Sequence, residues 1–302
     1  MPGTGRFARR PEHPYPVKSL ENLPDELQQL AEQTIPERKP VNMIYVIPEQ
    51  QLSKDWSGLG GVHQVPVQAL LFTPHGVIHV QAGESSAEIG RATYLPGDCL
   101  LYARMIMVLV YGRIELFGVV DNALTQIVAE YNSVSYELLQ PELYNFLRLA
   151  WRPTGPEKSH QAQPAVYLSM LYQQSDKFGN GLKHYSLQDN EQLLDYVFQP
   201  PRRKPKFALS RTPPKPGSLL ALTDRQLILI EEGISSAMSY GYFITWCPIA
   251  NVAGVETRPN DTRQDVCVHL RKGAVTAEIQ LTQDNPNALA CEALWSNRPA
   301  WI

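Results

Sequence analysis

Residues 217–233 read GSLLALTDRQLILIEEG, and residues 240–256 read YGYFITWCPIANVAGVE. The apolar run Leu219–Leu222 stops at Thr223-Asp224-Arg225, and a second apolar run, Leu227–Ile230, follows. Two such runs around a short polar break predict a β-hairpin. The next apolar segment, Tyr242–Trp246, predicts another strand. Pro248 predicts a corner after it, followed by Ile249, Val252 and Val255.

The same pattern occurs earlier in the chain. Ala69-Leu70-Leu71-Phe72-Thr73 matches Leu219-Leu220-Ala221-Leu222-Thr223, and Tyr94-Leu95-Pro96 matches Trp246-Cys247-Pro248. Tyr45-Val46 matches Tyr196-Val197, and Leu20 with Leu23 matches Leu168 with Leu171. All four anchors keep their order at one offset of about 150 residues, which is the signature of a repeated unit. Helical spacing follows the strands in both copies. In the first it is carried by Leu139, Leu143, Phe146, Leu147 and Ala150. In the second it runs from Ala288 to Trp295, with Asn285 read as N-cap and Pro286 as the first helical residue.

These motifs, an L-x-L-T hairpin followed by a proline corner and spaced β-branched residues, resemble the bacterial pleckstrin-homology-like (PH-like, GRAM-related) domains. The resemblance implies a mainly β (α+β) chain of two tandem PH-like domains. Each would be a strongly bent antiparallel sheet or partly open barrel closed by a C-terminal helix. The boundaries expected are a flexible arm at 1–16, a first domain at 17–151, a Pro-rich linker at 152–164 and a second domain at 165–302.

Bulk properties agree with this division. At 302 residues, with 43% apolar and 19% charged side chains, two ordinary globular domains are expected. A net charge of −3 sets up no global field toward nucleic acid or membrane. Cys99, Cys247, Cys267 and Cys291 show no C-x-x-C spacing, which suggests reduced thiols and a cytoplasmic setting. The N-terminus lacks the apolar core of a signal peptide. The most apolar span, Cys99–Val120, carries Arg104, Arg113 and Glu115. Each would cost about 2.5–3.5 kcal/mol at mid-membrane, so two strands joined near Gly112 explain the span better. Pro48–Pro66 reads as a long loop, and Leu171–Tyr185 as a helix weakened by Gly179 and Gly181.

The chain offers little recognisable chemistry. His75 and His79 have the spacing of a helical zinc pair, but Gly76-Val77-Ile78 between them favours a strand. A strand would hold them about 13 Å apart at ~3.3 Å per residue, so no metal is expected there. Residues 58–61, GLGG, lack the sixth-position glycine of a dinucleotide loop and the Lys-Ser/Thr of a P-loop. Ser85 and Ser86 lie outside any G-x-S-x-G elbow. Asp98 beside Cys99 raises the thiol pKa rather than activating it. Cys247 reads as a small buried hydrophobe. No cofactor motif is present, and no catalytic residue is assigned.

One segment suggests binding. Residues 199–216 carry Arg202, Arg203, Lys204, Lys206, Arg211 and Lys215 among prolines, with no acid between Asp195 and Asp224. In the PH-like resemblance the equivalent loop carries a basic phosphate site. Here the strand after it, Leu219–Thr223, lacks the basic residue that completes such a site. The first copy has only Lys54 beside Asp55. The leading expectation is a non-enzymatic binding or scaffold protein whose partner is a protein or peptide added to a sheet edge. One alternative is peripheral binding to an anionic membrane or another polyanion through the basic loop. A second is an enzyme with a site between the copies.

Overall fold

The turns at Thr73 and Thr223 are built alike. Thr73 Oγ1 donates to the Gly76 carbonyl (3.0 Å) and accepts from the His75 N–H (3.2 Å). Thr223 Oγ1 contacts the Gln226 carbonyl (3.0 Å) and accepts from the Arg225 N–H (3.1 Å). The computed structural model describes residues 13–35, 41–53, 62–83, 88–108, 110–151, 164–202, 216–232, 241–260 and 263–299.

The first half runs β1 (Tyr15–Val17), α1 (Asp25–Thr34), β2 (Met43–Ile47), β3 (Gln50–Ser53), β4 (Val62–Val65), β5 (Gln68–Thr73), β6 (Gly76–Gln81) and β7 (Arg91–Pro96). A 3-10 turn at Gly97–Cys99 leads to β8 (Leu100–Val108), β9 (Tyr111–Val120), β10 (Ala123–Asn132) and α2 (Tyr136–Leu149). The second half runs α3 (Pro164–Gln174), α4 (Asp176–Tyr185), β11 (Leu193–Gln199), β12 (Ser218–Thr223), β13 (Gln226–Glu231) and β14 (Tyr242–Pro248). A 3-10 turn at Ile249–Asn251 leads to β15 (Val252–Asn260), β16 (Arg263–Lys272), β17 (Val275–Gln283) and α5 (Asn285–Ser296).

The chain is mainly β, and among the described residues every strand pairing is antiparallel. One sheet has the order β1-β2-β5-β6-β7, and another has β15-β16-β17. The largest has seven strands, β10-β9-β8-β14-β13-β12-β11. None of these sheets closes into a barrel. The seven-stranded sheet corrects the expectation of two self-contained sheets: β8 of the first half pairs with β14 of the second, from Trp246↔Ala103 to Tyr242↔Met107.

Three apolar clusters follow. The first lies between α1 and the outer face of β2, β5 and β6, with Leu27, Ala31, Val46 and Leu71 buried. The second fills the second half beneath β15–β17 and α5, with Leu220, Leu229, Val268 and Leu294. The largest spans both halves and joins Leu95, Leu116, Ile127 and Leu143 to Phe178, Leu182, Ile230, Ile244 and Trp246. Leu71, Val80, Leu116, Leu143, Leu220, Leu229, Ile244, Ile249 and Leu294, which the apolar periodicity of the sequence places in the core, are buried. Leu109, expected with them, lies outside the described residues.

Several local readings change. Pro48–Pro66 holds a two-stranded ribbon, β3 with β4. The arm's last residues, Tyr15 and Pro16, pair with β2 as part of β1. β8 ends at Val108 and β9 begins at Tyr111, so Gly112 sits inside β9, where the Tyr131 ring leaves no room for a Cβ. The helix expected at 171–185 is two helices, and Ser175 caps the second by accepting from the Phe178 N–H (3.4 Å). Gly179 is tolerated there because a Cβ would meet the Tyr172 ring. Asp284, not Asn285, holds the N-cap position of α5. Leu20 and Leu168, matched in sequence, fall on a 3-10 turn and an α-helix respectively. Of the linker expected at 152–164, residues 152–163 lie outside the described residues, and Pro164 opens α3.

Candidate functional site

The basic segment can be placed at its two feet. Arg202 meets Asp284, Nη2 to Oδ2 at 3.7 Å. Arg203, Lys204, Lys206, Arg211 and Lys215 lie outside the described residues. At the other foot the Gly217 N–H donates to Glu232 Oε1 (3.1 Å), and Lys177 Nζ bonds Glu232 Oε2 (2.8 Å). Two carboxylates from elsewhere in the chain therefore flank a segment that looked acid-free along the sequence. They come from β17's end and from the residue after β13, so sequence distance concealed them.

The histidine pair is divided as its strand reading requires. His75 lies in the turn, whereas His79 is buried on β6 with its Nε2 2.8 Å from Gln68 Oε1. Burial, aided by Arg91, brings the His79 pKa down to about 4. Among the described residues no group of three His, Cys, Asp or Glu side chains is placed to hold a metal ion. Burial raises the Cys99 thiol pKa, and Asp98 adds to it. Burial pushes the Cys247 and Cys291 thiols up to about 12, so these sulfurs pack as apolar groups.

Sequence reasoning missed the polar groups that gather where the halves meet. On β8 and β14, Arg104 Nε donates to Thr245 Oγ1 (3.4 Å), and its Nη1 lies 3.8 Å from Glu115 Oε2. Arg113 pairs with the buried Glu115 (2.5 Å) and approaches Glu130 (3.8 Å), which also accepts from the Tyr111 hydroxyl. Glu231 lies at the far end of β13, where burial raises its pKa to about 7 and Arg104 opposes the rise. Asn251 fastens the corner after β14 to the first half. Its Nδ2 donates to the Leu100 and Leu101 carbonyls, each at 2.9 Å.

A second junction surrounds Glu191, in the loop between α4 and β11. Its carboxyl is buried and meets Thr223 Oγ1 (2.5 Å), Gln226 Nε2 (3.0 Å) and the Gln188 N–H (3.0 Å). Gln188 Oε1 in turn accepts from Arg148 Nε of α2 (3.2 Å). The Arg225 guanidinium stacks on Trp151, 4.9 Å from the ring centroid. Burial outweighs the three hydrogen bonds and raises the Glu191 pKa to about 7. A threonine hydroxyl has one hydrogen, and the equivalent turn spends it on the Gly76 carbonyl. A Glu191 that keeps its proton can donate to Thr223 and leave that hydroxyl free for Gln226.

The sheet edges differ between the halves. β14 is covered on one side by β13 and on the other by β8. β7 holds the corresponding place before the first proline corner, and among the described strands it pairs with β6 alone. No protein-family model matches this chain, and no curated protein proves similar to it.

Proposed function

We propose that this chain is a non-catalytic binding protein, built by duplication of a PH-like unit, whose partner is a protein segment taken up by strand addition. The carrying observation is the β8–β14 pairing, in which one half already recognises the other through a sheet edge. Edge addition supplies main-chain hydrogen bonds for affinity and alternate side chains for specificity. Duplication is supported by matching irregularities. The register of β8 against β9 shifts between Leu100 and Tyr102, and that of β15 against β16 between Val252 and Gly254. Pro96 and Pro248 each precede a 3-10 turn, in matching backbone conformations.

Four of the groups with displaced protonation support a binding role over a catalytic one. Glu191, His79, Cys247 and Cys291 are buried in packing or hydrogen-bonded junctions. The polyanion reading draws less support, because Asp284 and Glu232 flank the feet of the basic segment. The free thiols suit a reducing, cytoplasmic setting.

The test is recovery of the full chain from its native host, followed by hydrogen exchange on the complex. A co-purifying polypeptide that slows the amides of one edge strand is the expected result. Recovery with lipid alone, or protection confined to loops, would overturn the reading.

A further inference from the structure

The two halves present one edge twice, and among the described residues only one of the two is occupied. With the offset of 152 given by Pro96 and Pro248, Ile244 and Trp246 of β14 correspond to Ala92 and Tyr94 of β7. On β14, Ile244 pairs with Met105 and Trp246 with Ala103 of β8, and all four side chains are fully buried. On β7, Ala92 and Tyr94 are only partly buried, against the α1 cluster.

Backbone geometry fixes which groups this edge offers. The Gly97 N–H donates to the His75 carbonyl (2.9 Å), so the Pro96–Gly76 pair is of the non-hydrogen-bonded kind. Alternation makes Tyr94 and Ala92 non-bonded toward β6 as well. Their N–H and C=O groups therefore point outward, and no described residue binds them. Ile89, just before the strand, is 93% exposed.

We propose that β7 is an acceptor edge for one antiparallel strand of a partner protein, held in the register that β8 adopts on β14. This rests on the strand-addition reading above and names its site and its ligand. Opposite Tyr94 the ligand carries a small apolar residue, as Ala103 stands opposite Trp246. Opposite Ala92 it carries a larger one, as Met105 stands opposite Ile244. Between them, opposite Thr93, a polar residue points to the other face. Opposite the exposed Arg91, where Ile106 stands opposite Phe243, a carboxylate is the complementary choice. The ligand is an extended segment reading small apolar, polar, large apolar, acidic.

A second copy of this chain is a poor occupant through its own counterpart of β8. That strand is β15, and the same register would set Arg258 against Arg91 and Pro259 against Gly90. Like charges directly opposite destabilise a pair, and proline cannot donate to a ladder. The free edge of β15 is thereby kept from extending the pattern from molecule to molecule.

The probe is a peptide copying residues 101–108 with Arg104→Thr and Ile106→Glu, labelled at its N-terminus and titrated into the full chain. Saturable binding that slows exchange of the Ala92 and Tyr94 amides is expected. Ala92→Pro removes one outward donor without touching the β6 ladder and should weaken binding at least tenfold. The same peptide with lysine in place of the glutamate should bind poorly, and Arg91→Glu in the chain should reverse that preference. This charge swap decides the matter even where Ala92→Pro fails to fold. Equal binding to Ala92→Pro, with protection on another edge, would overturn the β7 assignment and leave strand addition standing. Absence of binding by the probe would overturn the assigned ligand. Failure of any strand-forming peptide in an array to protect any edge would overturn both readings. Concentration-dependent slowing of these amides without peptide would give the edge to a second copy and overturn the assigned occupant.

Discussion

Glu191 sets a pH dependence that single-residue chemistry predicts. Its pKa is raised by burial from 4.5 to about 7. A group whose folded pKa lies above its unfolded value adds stability that is complete below the unfolded pKa and lost as pH rises through the folded one. The window is pH 4.5 to 7, and the loss is on the order of 3 kcal/mol. Glu191→Gln keeps the shape and can donate to Thr223, so denaturant midpoints should be higher than wild type at pH 8 and nearly equal at pH 5. A variant whose stability tracks wild type at both values would remove the buried proton from the account. His79 acts in the opposite direction. Its pKa is lowered to about 4, so its stability is present above pH 6.5 and is lost as pH falls toward 4. Leu229, fully buried in the second half, should cost about 2–5 kcal/mol on truncation to alanine, measured by equilibrium unfolding. Buried apolar positions of this sort were legible in the sequence because alternation reports them directly. Glu191 was not, since its partners Thr223 and Gln226 come from a turn more than thirty residues away.

At the scale of elements, the sequence was most informative where the signal is local. The Thr73 and Thr223 hairpins, the Pro96 and Pro248 corners and the closing helices each rest on residues within a few positions of one another. β3 and β4 leave no strand signal in the sequence, because QQLS and VHQV carry too little apolar alternation to mark strands. The β8–β14 pairing was invisible for a different reason: which strand lies on an edge depends on how the halves dock, and no local pattern records it. Asn251 tests the docking. Its side chain satisfies the carbonyls of Leu100 and Leu101, and Asn251→Ala would leave both without that donor. The expected cost is about 1–3 kcal/mol, the range for a buried polar group left unpaired. Exchange of β8 amides should quicken along with it. A loss of only a few tenths of a kcal/mol would mean that water replaces the amide and that the corner does not fasten the halves.

At the scale of the whole molecule, the recurring sequence pattern suggests two independent units, and the packing argues for one. The largest apolar cluster takes side chains from β5, β8, β9 and α2 of the first half and from α4, β12, β13 and β14 of the second. Separating the halves would expose Ala103 and Met105 of β8 together with Ile244 and Trp246 of β14, all now fully buried. A shared apolar cluster and a continuous strand pairing therefore couple the stability of the two halves. Thermal unfolding should therefore show one cooperative transition in which probes of both halves coincide. Exchange of the Val268 amide reports the second half, and exchange of the Leu71 amide reports the first. Residues 1–151 and 164–302 produced separately should each bind a dye for exposed apolar surface, and mixing them should abolish that signal. Two resolved transitions, or separate halves with sharp unfolding curves of their own, would mean that the β8–β14 contact joins units that are already complete.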